Sequence, residues 1–168
     1  MMILPKDACC FTGHRSAKLP WKYNEYDPRC VELKQRIYDT AEAVYASGIR
    51  HFICGMAEGC DLYFCEAVMA LRAEHPDVTI EAAVPFEGQA DLWPKAQQER
   101  YQRLICECDS VTLIQKEYSP GCMMKRNKYM VDNSRLIIAC YDGQSGGTLN
   151  TLRYALEKDV QILHLPLE

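Results

Sequence analysis

Six short apolar runs recur along the chain, and the gaps between them are too long for hairpins and carry helical periodicity. The runs are Ala8–Phe11, His51–Cys54, Val78–Val84, Ser110–Ile114, Leu136–Tyr141 and Val160–Leu165. They are apolar rather than alternating, the pattern of strands buried on both faces of a sheet. Between the first two, Cys30, Leu33, Ile37, Ala41 and Val44 recur at spacings of three and four, which predicts one face of a helix. Gly48 stands where that helix should end. The stretch Asp61–Glu74 is apolar nearly all round, as a centrally packed helix would be. Pro94 suits the first turn of a third helix burying Tyr101, Leu104 and Ile105, and shorter helical patterns cover Met123–Asn133 and Thr148–Glu157.

Strands of this kind, each followed by a helix, imply a mostly parallel sheet sandwiched between helices. Right-handed crossovers then give a doubly wound, Rossmann-like α/β fold. The 168 residues suit one domain, 1–168, with no linker, repeat or low-complexity segment. Ser16 to Pro28, with Pro20, Trp21, Tyr23 and Tyr26, reads as a structured surface loop. A net charge of −4 argues against the broad basic surface of a general nucleic-acid binder. The longest clean apolar run, Leu136–Tyr141, is far short of the ~18 residues of a membrane span. Lys6 and Asp7 interrupt the Met1–Leu4 run, so no secretory signal is expected, and the expected location is cytoplasmic. Ten cysteines include no Cys-x-x-Cys pair, and no histidine sits at zinc-finger spacing; buried reduced thiols and no metal site are expected.

In such a sheet the ligand crevice lies beyond the carboxyl ends of the strands. The first strand is followed by Thr12-Gly13-His14-Arg15, and the second by Gly55-Met56-Ala57-Glu58-Gly59-Cys60-Asp61. Pro85-Phe86 follows the third, and Asp142-Gly143-Gln144-Ser145-Gly146-Gly147-Thr148 the fifth. Glycines at 13, 55, 59, 146 and 147 would let backbone N–H groups approach an anion, and a helix N-terminus adds about half a positive charge. Thr12, Arg15 and Thr148 would hold phosphate, Arg15 as a forked cation; Ser145 or Thr148 could cap the last helix. Asp61, Asn127, Asp142 and Asn150 would contact ribose or base, and Pro85, Arg126 and Gly143 complete the candidate ligand set. His14 is a polar ligand contact or a latent acid/base group, and with Glu58 and Asp142 a candidate for any catalysis, whereas His51, His75 and His164 read as structural or solvated. The competing reading makes the glycines turn residues and Asp61 and Thr148 helix caps. There is no Gly-x-Gly-x-x-Gly and no Gly-Lys-Ser/Thr, so neither ordinary dinucleotide dehydrogenase binding nor a P-loop is supported.

Five segments together resemble the SLOG superfamily of Rossmann-like proteins, in particular its small single-domain YpsA/YoqJ-like branch. They are Phe11-Thr-Gly-His-Arg15, Gly55-Met-Ala-Glu-Gly-Cys-Asp61, Pro85-Phe86, Met124-Lys-Arg-Asn127 and Gly146-Gly-Thr-Leu-Asn-Thr-Leu-Arg-Tyr-Ala-Leu156. The resemblance runs from Cys9 to Pro166 and extends to the DNA-processing protein DprA/Smf and to the LOG phosphoribohydrolases. It implies nucleotide binding; the superfamily mixes enzymes, DNA-binding proteins and proposed nucleotide sensors. LOG enzymes carry Pro-Gly-Gly-x-Gly-Thr-x-x-Glu, and if Gly147-Thr148 matches its Gly-Thr, Thr151 takes the place of the glutamate. A hydroxyl cannot replace a carboxylate beside an oxocarbenium-like centre, which argues against an enzyme. DprA relies on basic surface, whereas the densest basic cluster here is Lys125-Arg126-Lys128. The expectation is a nucleotide-binding protein for a nucleoside phosphate or an ADP-ribose/NAD-type ligand, acting as a sensor or regulator. A nucleotide N-glycosidase or other nucleotide hydrolase is the alternative, and DprA-like single-stranded DNA binding comes third. Neither a nucleic acid nor a membrane is an expected partner; a homo-oligomer is compatible with the sequence.

Overall fold

The computed structural model describes residues 7–143 and 146–167. Strands β1 (Ala8–Gly13), β2 (His51–Cys54), β3 (Thr79–Val84), β4 (Ser110–Leu113), β5 (Leu136–Tyr141) and β6 (Gln161–Pro166) form one sheet in the order β4-β3-β2-β1-β5-β6. Every pairing is parallel; Cys10 sits opposite Ile53 on one side and Ile137 on the other. Five helices alternate with the strands: α1 (Pro28–Ala46), α2 (Cys60–Glu74), α3 (Lys95–Glu107), α4 (Cys122–Asp132) and α5 (Gly147–Glu157). The doubly wound, Rossmann-like sandwich is thus present. The chain steps outward from β1 to β4, then crosses back to lay β5 on the other side of β1. That reversal makes β1 and β5 the topological switch point.

Local chemistry sets the helix ends. Asp27 caps α1 by accepting from the Arg29 N–H at 2.9 Å, and Pro28 stands at the first helical position, where a missing N–H costs nothing. The predicted stripe Cys30, Leu33, Ile37, Ala41, Val44 is the buried face of α1. Gly48 then turns the chain with φ +113°. Pro94 stands just before α3 rather than inside its first turn, and Ile105 is only half-buried beside buried Tyr101 and Leu104.

Two apolar layers flank the sheet. On one face Phe11 stacks on Phe64 of α2 at 4.7 Å, within a cluster that includes Phe52, Leu33 and Leu71. On the other, Cys10, Ile53 and Ile137 pack with Met130 of α4 and Leu152 of α5. The expectation that all six strands are buried needs correction. β4 is an edge strand, with a neighbour on one side only, and leaves Val111 and Leu113 exposed; β6 forms the opposite edge. An apolar run reports strand preference, not position in the sheet.

The segment before α1 is tied down as expected. Trp21 is buried and donates its indole N–H to the Tyr63 hydroxyl at 3.2 Å, while Glu25 and Glu66 both pair with Arg100 of α3. Eight of the ten cysteines are buried; Cys106 is exposed and Cys108 half-buried, and all ten are free thiols. Among the described residues there is no cluster suited to a metal ion, and no helix long and apolar enough to cross a membrane.

Candidate functional site

A cleft of about 270 Å³ opens at the carboxyl ends of β1 and β5. β1 runs further than its apolar residues suggest, because Thr12 and Gly13 pair with Ala139 and Cys140 of β5, and the His14 N–H continues the ladder to the Cys140 carbonyl at 3.3 Å. The β2–α2 turn clasps this exit. The Cys60 N–H donates to the His14 carbonyl at 3.1 Å, and the Glu58 carboxylate accepts from the Ser16 N–H at 3.2 Å. The clasp requires glycine at position 59, which has φ +91°; a Cβ there would lie 2.7 Å from the Ser16 nitrogen and 2.9 Å from the His14 carbonyl oxygen. Met56, buried in the same turn, holds φ +62°, a left-handed conformation that a side chain rarely adopts.

Thr12, Gly13, His14 and Arg15 line one wall, with Ala57 and Asp61 beside them; Met123, Arg126 and Asn127 of α4 and Gly147 and Thr148 of α5 line the other. A hydrogen-bonded chain runs between the two glycine turns. Arg126 donates Nη1 to the Gly55 carbonyl and Nε to Asn127 Oδ1 at 2.8 Å. Asn127 Nδ2 donates to the Thr151 hydroxyl at 2.9 Å, which donates to the Gly147 carbonyl at 2.8 Å. Of these four bonds, Asn127 to Thr151 ties α4 to α5 and Arg126 to Gly55 ties α4 to the β2–α2 turn.

The electrostatics favour an anion. Arg126 is only 4% exposed, yet no carboxylate lies within 4.0 Å of its guanidinium among the described residues. Burial disfavours its charge and also pushes the Asp61 carboxyl upward, while Arg126 pulls Asp61 back down. Arg15 and Lys18 add two more cations to the lining. The N-cap of α5 is Gly146, which has no side chain to serve the first N–H groups, and no other described residue caps them. Against these stands the single carboxylate Asp61 in the lining.

Nine of the predicted ligand residues therefore meet in one cleft: Thr12, Gly13, His14, Arg15, Asp61, Arg126, Asn127, Gly147 and Thr148. Gly55, Glu58 and Gly59 support it from the β2–α2 turn, and Asp142 bonds His14 at 3.0 Å at the rim. Pro85 is buried at the end of β3, and Gly143 and Asn150 are exposed; none of the three lines the cleft. Asn150 lies two residues from Thr148, on the other side of the helix. Neither expected cap forms. Gly59 and Gly146 occupy the N-cap positions, Asp61 accepts from the Ala57 N–H at 3.2 Å, and Thr148 sits in the first turn with its hydroxyl 3.5 Å from that of Thr12. Ser145, the other capping candidate, falls outside the described residues, as does Gln144. Sequence reasoning missed Lys18, which a short 3₁₀ turn at Ser16–Lys18 folds back to the cleft, 3.2 Å from where a Gly146 Cβ would stand. It also missed Met123 on the α4 wall.

The profile of the YpsA family, described as the YspA SLOG family, matches residues 9–164. The chain belongs to the YspA SLOG family. This YspA SLOG member is 32% identical over 142 residues to the SPbeta prophage-derived protein YoqJ of Bacillus subtilis, an overlap covering 77% of this chain and 83% of YoqJ. It is 24% identical over 149 residues to a UPF0398 protein of Lysinibacillus sphaericus, covering 88% and 83% of the two chains. In three dimensions it resembles DNA processing protein A from Helicobacter pylori, described for its single-stranded DNA binding mode, with a TM-score of 0.62 at 19% identity over 98% of this chain and 66% of that one. DprA from Streptococcus pneumoniae gives a TM-score of 0.61 at 15% identity, over 95% of this chain and 50% of that one. At these identities the likeness is one of fold.

Proposed function

We propose that this YspA SLOG protein binds a nucleotide, either a nucleoside phosphate or an ADP-ribose/NAD-type ligand, with phosphate in the β1/β5 cleft, and acts as a sensor or regulator. The observation that carries the reading is Arg126: a buried guanidinium with no carboxylate in ion-pair contact among the described residues and the nearby Asp61 as its counterweight, in a cleft shared with Arg15, Lys18 and the N-terminus of α5. Three cations face one carboxylate in the lining, and an incoming phosphate would offset the cost of burying the Arg126 guanidinium among them. Thermal shift and calorimetric titration with AMP, GMP, CMP, UMP, ADP-ribose and NAD test it directly. A ligand at a hundred times its Kd stabilises the fold by about 2.7 kcal/mol, and Arg126→Met should lose that gain. No shift with any of the six would overturn the proposal.

The DprA neighbours support single-stranded DNA binding as a second reading. Arg15, Lys18 and Arg126 could neutralise about three phosphates, a log–log salt slope near −2 on a single strand. Submicromolar oligonucleotide binding that survives physiological salt would favour that reading over a small ligand. For N-glycosidase chemistry, Thr151 is fully buried and bonded at both sides, so its hydroxyl is held by Asn127 and Gly147. We expect no release of free base from nucleoside monophosphates at ~1 s⁻¹, the scale of an ordinary enzyme.

A further inference from the structure

A second, larger groove of about 800 Å³ lies beyond the ends of β3 and β4, and Arg15 lines both it and the cleft. Its walls are preformed. The Glu87 N–H donates to the Lys116 carbonyl at 3.0 Å, joining the segment after β3 to the one after β4, and Asp91 closes a turn onto Gly88 at 3.0 Å. Phe86 meets Tyr118 edge-on at 5.3 Å, Trp93 meets Tyr101 at 5.4 Å, and Tyr118 and Leu92 are exposed to solvent. Within this apolar lining sits Gln89, only 6% exposed. Both amide atoms of Gln89 are shut off from solvent; the Tyr101 hydroxyl interacts with the amide, but no partner lies within 3.5 Å of either atom among the described residues. A buried amide so poorly satisfied costs free energy, which a turn of the side chain onto a ligand edge bearing one donor and one acceptor would recover.

We infer that the groove is the base subsite for the nucleotide whose phosphate occupies the cleft, with Arg15 at the junction; the inference rests on the nucleotide-binding reading above. Three observations converge on a planar, uncharged heterocycle. The aromatic wall offers stacking, the Gln89 amide would offer a paired donor and acceptor to a base edge once its side chain turns from the interior into the groove, and the charges disfavour phosphate. Glu87, Asp91 and Glu117 outnumber Lys116 and Arg15 there, and Arg15 stands at the cleft end, so the groove disfavours the anionic part of the ligand that the cleft attracts. Size points the same way. The cleft alone, at about 270 Å³, falls just short of the ~300–1,000 Å³ usual for ligand pockets. A continuous nucleic-acid strand fits the acidic groove poorly, because each further nucleotide would bring another phosphate into it.

The test compares a nucleotide with its base-less fragment. Titrate the wild type, Tyr118→Ala and Gln89→Leu with AMP and with ribose 5-phosphate, following heat and tryptophan fluorescence. A Trp21→Phe background leaves Trp93, in the groove, as the only tryptophan. The wild type should bind AMP at least tenfold more tightly than ribose 5-phosphate, with Trp93 emission changing for AMP alone. Tyr118 is exposed, so its removal should leave the fold intact while weakening AMP about tenfold and ribose 5-phosphate not at all. Gln89→Leu replaces a poorly satisfied amide by an apolar group of similar size, so it should fold and lose discrimination among AMP, GMP, CMP and UMP. If both variants bind AMP as the wild type does, the base lies elsewhere and this inference fails while the phosphate site stands. If the wild type binds neither AMP nor ribose 5-phosphate, the nucleotide-binding reading fails and the inference falls with it.

Discussion

Two glycines on the same rim differ in what a side chain would meet. At Gly59 the positive φ and the Ser16 nitrogen leave no room, so Gly59→Ala should destabilise the fold by about 1–3 kcal/mol through strain and overpacking. At Gly147 nothing lies within 4 Å of an added Cβ. The positive φ in this turn belongs to Gly146, its neighbour, so aspartate at 147 meets no backbone strain. Gly147→Asp should therefore fold normally, since a carboxylate in the first turn of α5 favours the helix. It would also put a negative charge at the proposed phosphate position. Wild type at a hundred times Kd should gain roughly 5–10 °C in Tm, at ~2–4 °C per kcal/mol for a chain of this size. The variant should keep its unliganded Tm and gain nothing. An unaltered ligand shift in Gly147→Asp would move the phosphate away from α5.

One element is held to the sheet by a charged group rather than by apolar packing alone. Glu81 of β3 is buried beneath α4, where it accepts from the Tyr129 hydroxyl and from the Thr112 hydroxyl at 2.8 Å, and bonds His51 at 2.7 Å. Burial alone would raise its pKa, but hydrogen bonds from His51, Tyr129 and Thr112 outweigh burial and hold it below the ordinary range. A carboxyl with a depressed folded-state pKa contributes stability that is complete above the unfolded value of about 4.3, and loses it as pH falls through the folded value. Tyr129→Phe removes one donor to the carboxylate and should cost about 1–2 kcal/mol at neutral pH. Chemical denaturation should show the gap between wild type and variant narrowing as pH drops below about 4. A gap that stays constant into acid would mean that Tyr129 serves packing only.

For the molecule as a whole, the thiols report how tightly the two layers close. Burial pushes the Cys9 thiol up and the Cys10 thiol up to about 12; at Cys108 the hydrogen bond with Cys65 raises it first and burial second. Such groups stay protonated and unreactive, because the thiolate is the nucleophile. Cys106, on α3, is the one exposed thiol. A thiol reagent should label one cysteine rapidly in the native protein and all ten after denaturation without reductant. Rapid labelling of several thiols in the native state would show that the sandwich opens far more readily than its packing implies.

The sequence by itself determined the parallel α/β fold, because burial on both faces imposes continuous apolar strands and the crossovers impose amphipathic helices between them. It also marked the Thr12–Arg15, Gly55–Asp61 and Gly146–Thr148 turns, since a strand-to-helix turn that backs onto its neighbours demands small residues. What it left open depended on distance in space. Nothing local distinguishes edge strand β4 from the inner ones, because an edge is defined by the neighbour it lacks. Nothing local brings Lys18 round to Gly146, lets Arg126 reach Gly55 across 71 residues, or buries the Gln89 amide beside Tyr101. Those relations arise only when the chain reverses beside β1, since a buried polar group has its meaning from whatever the fold places opposite it.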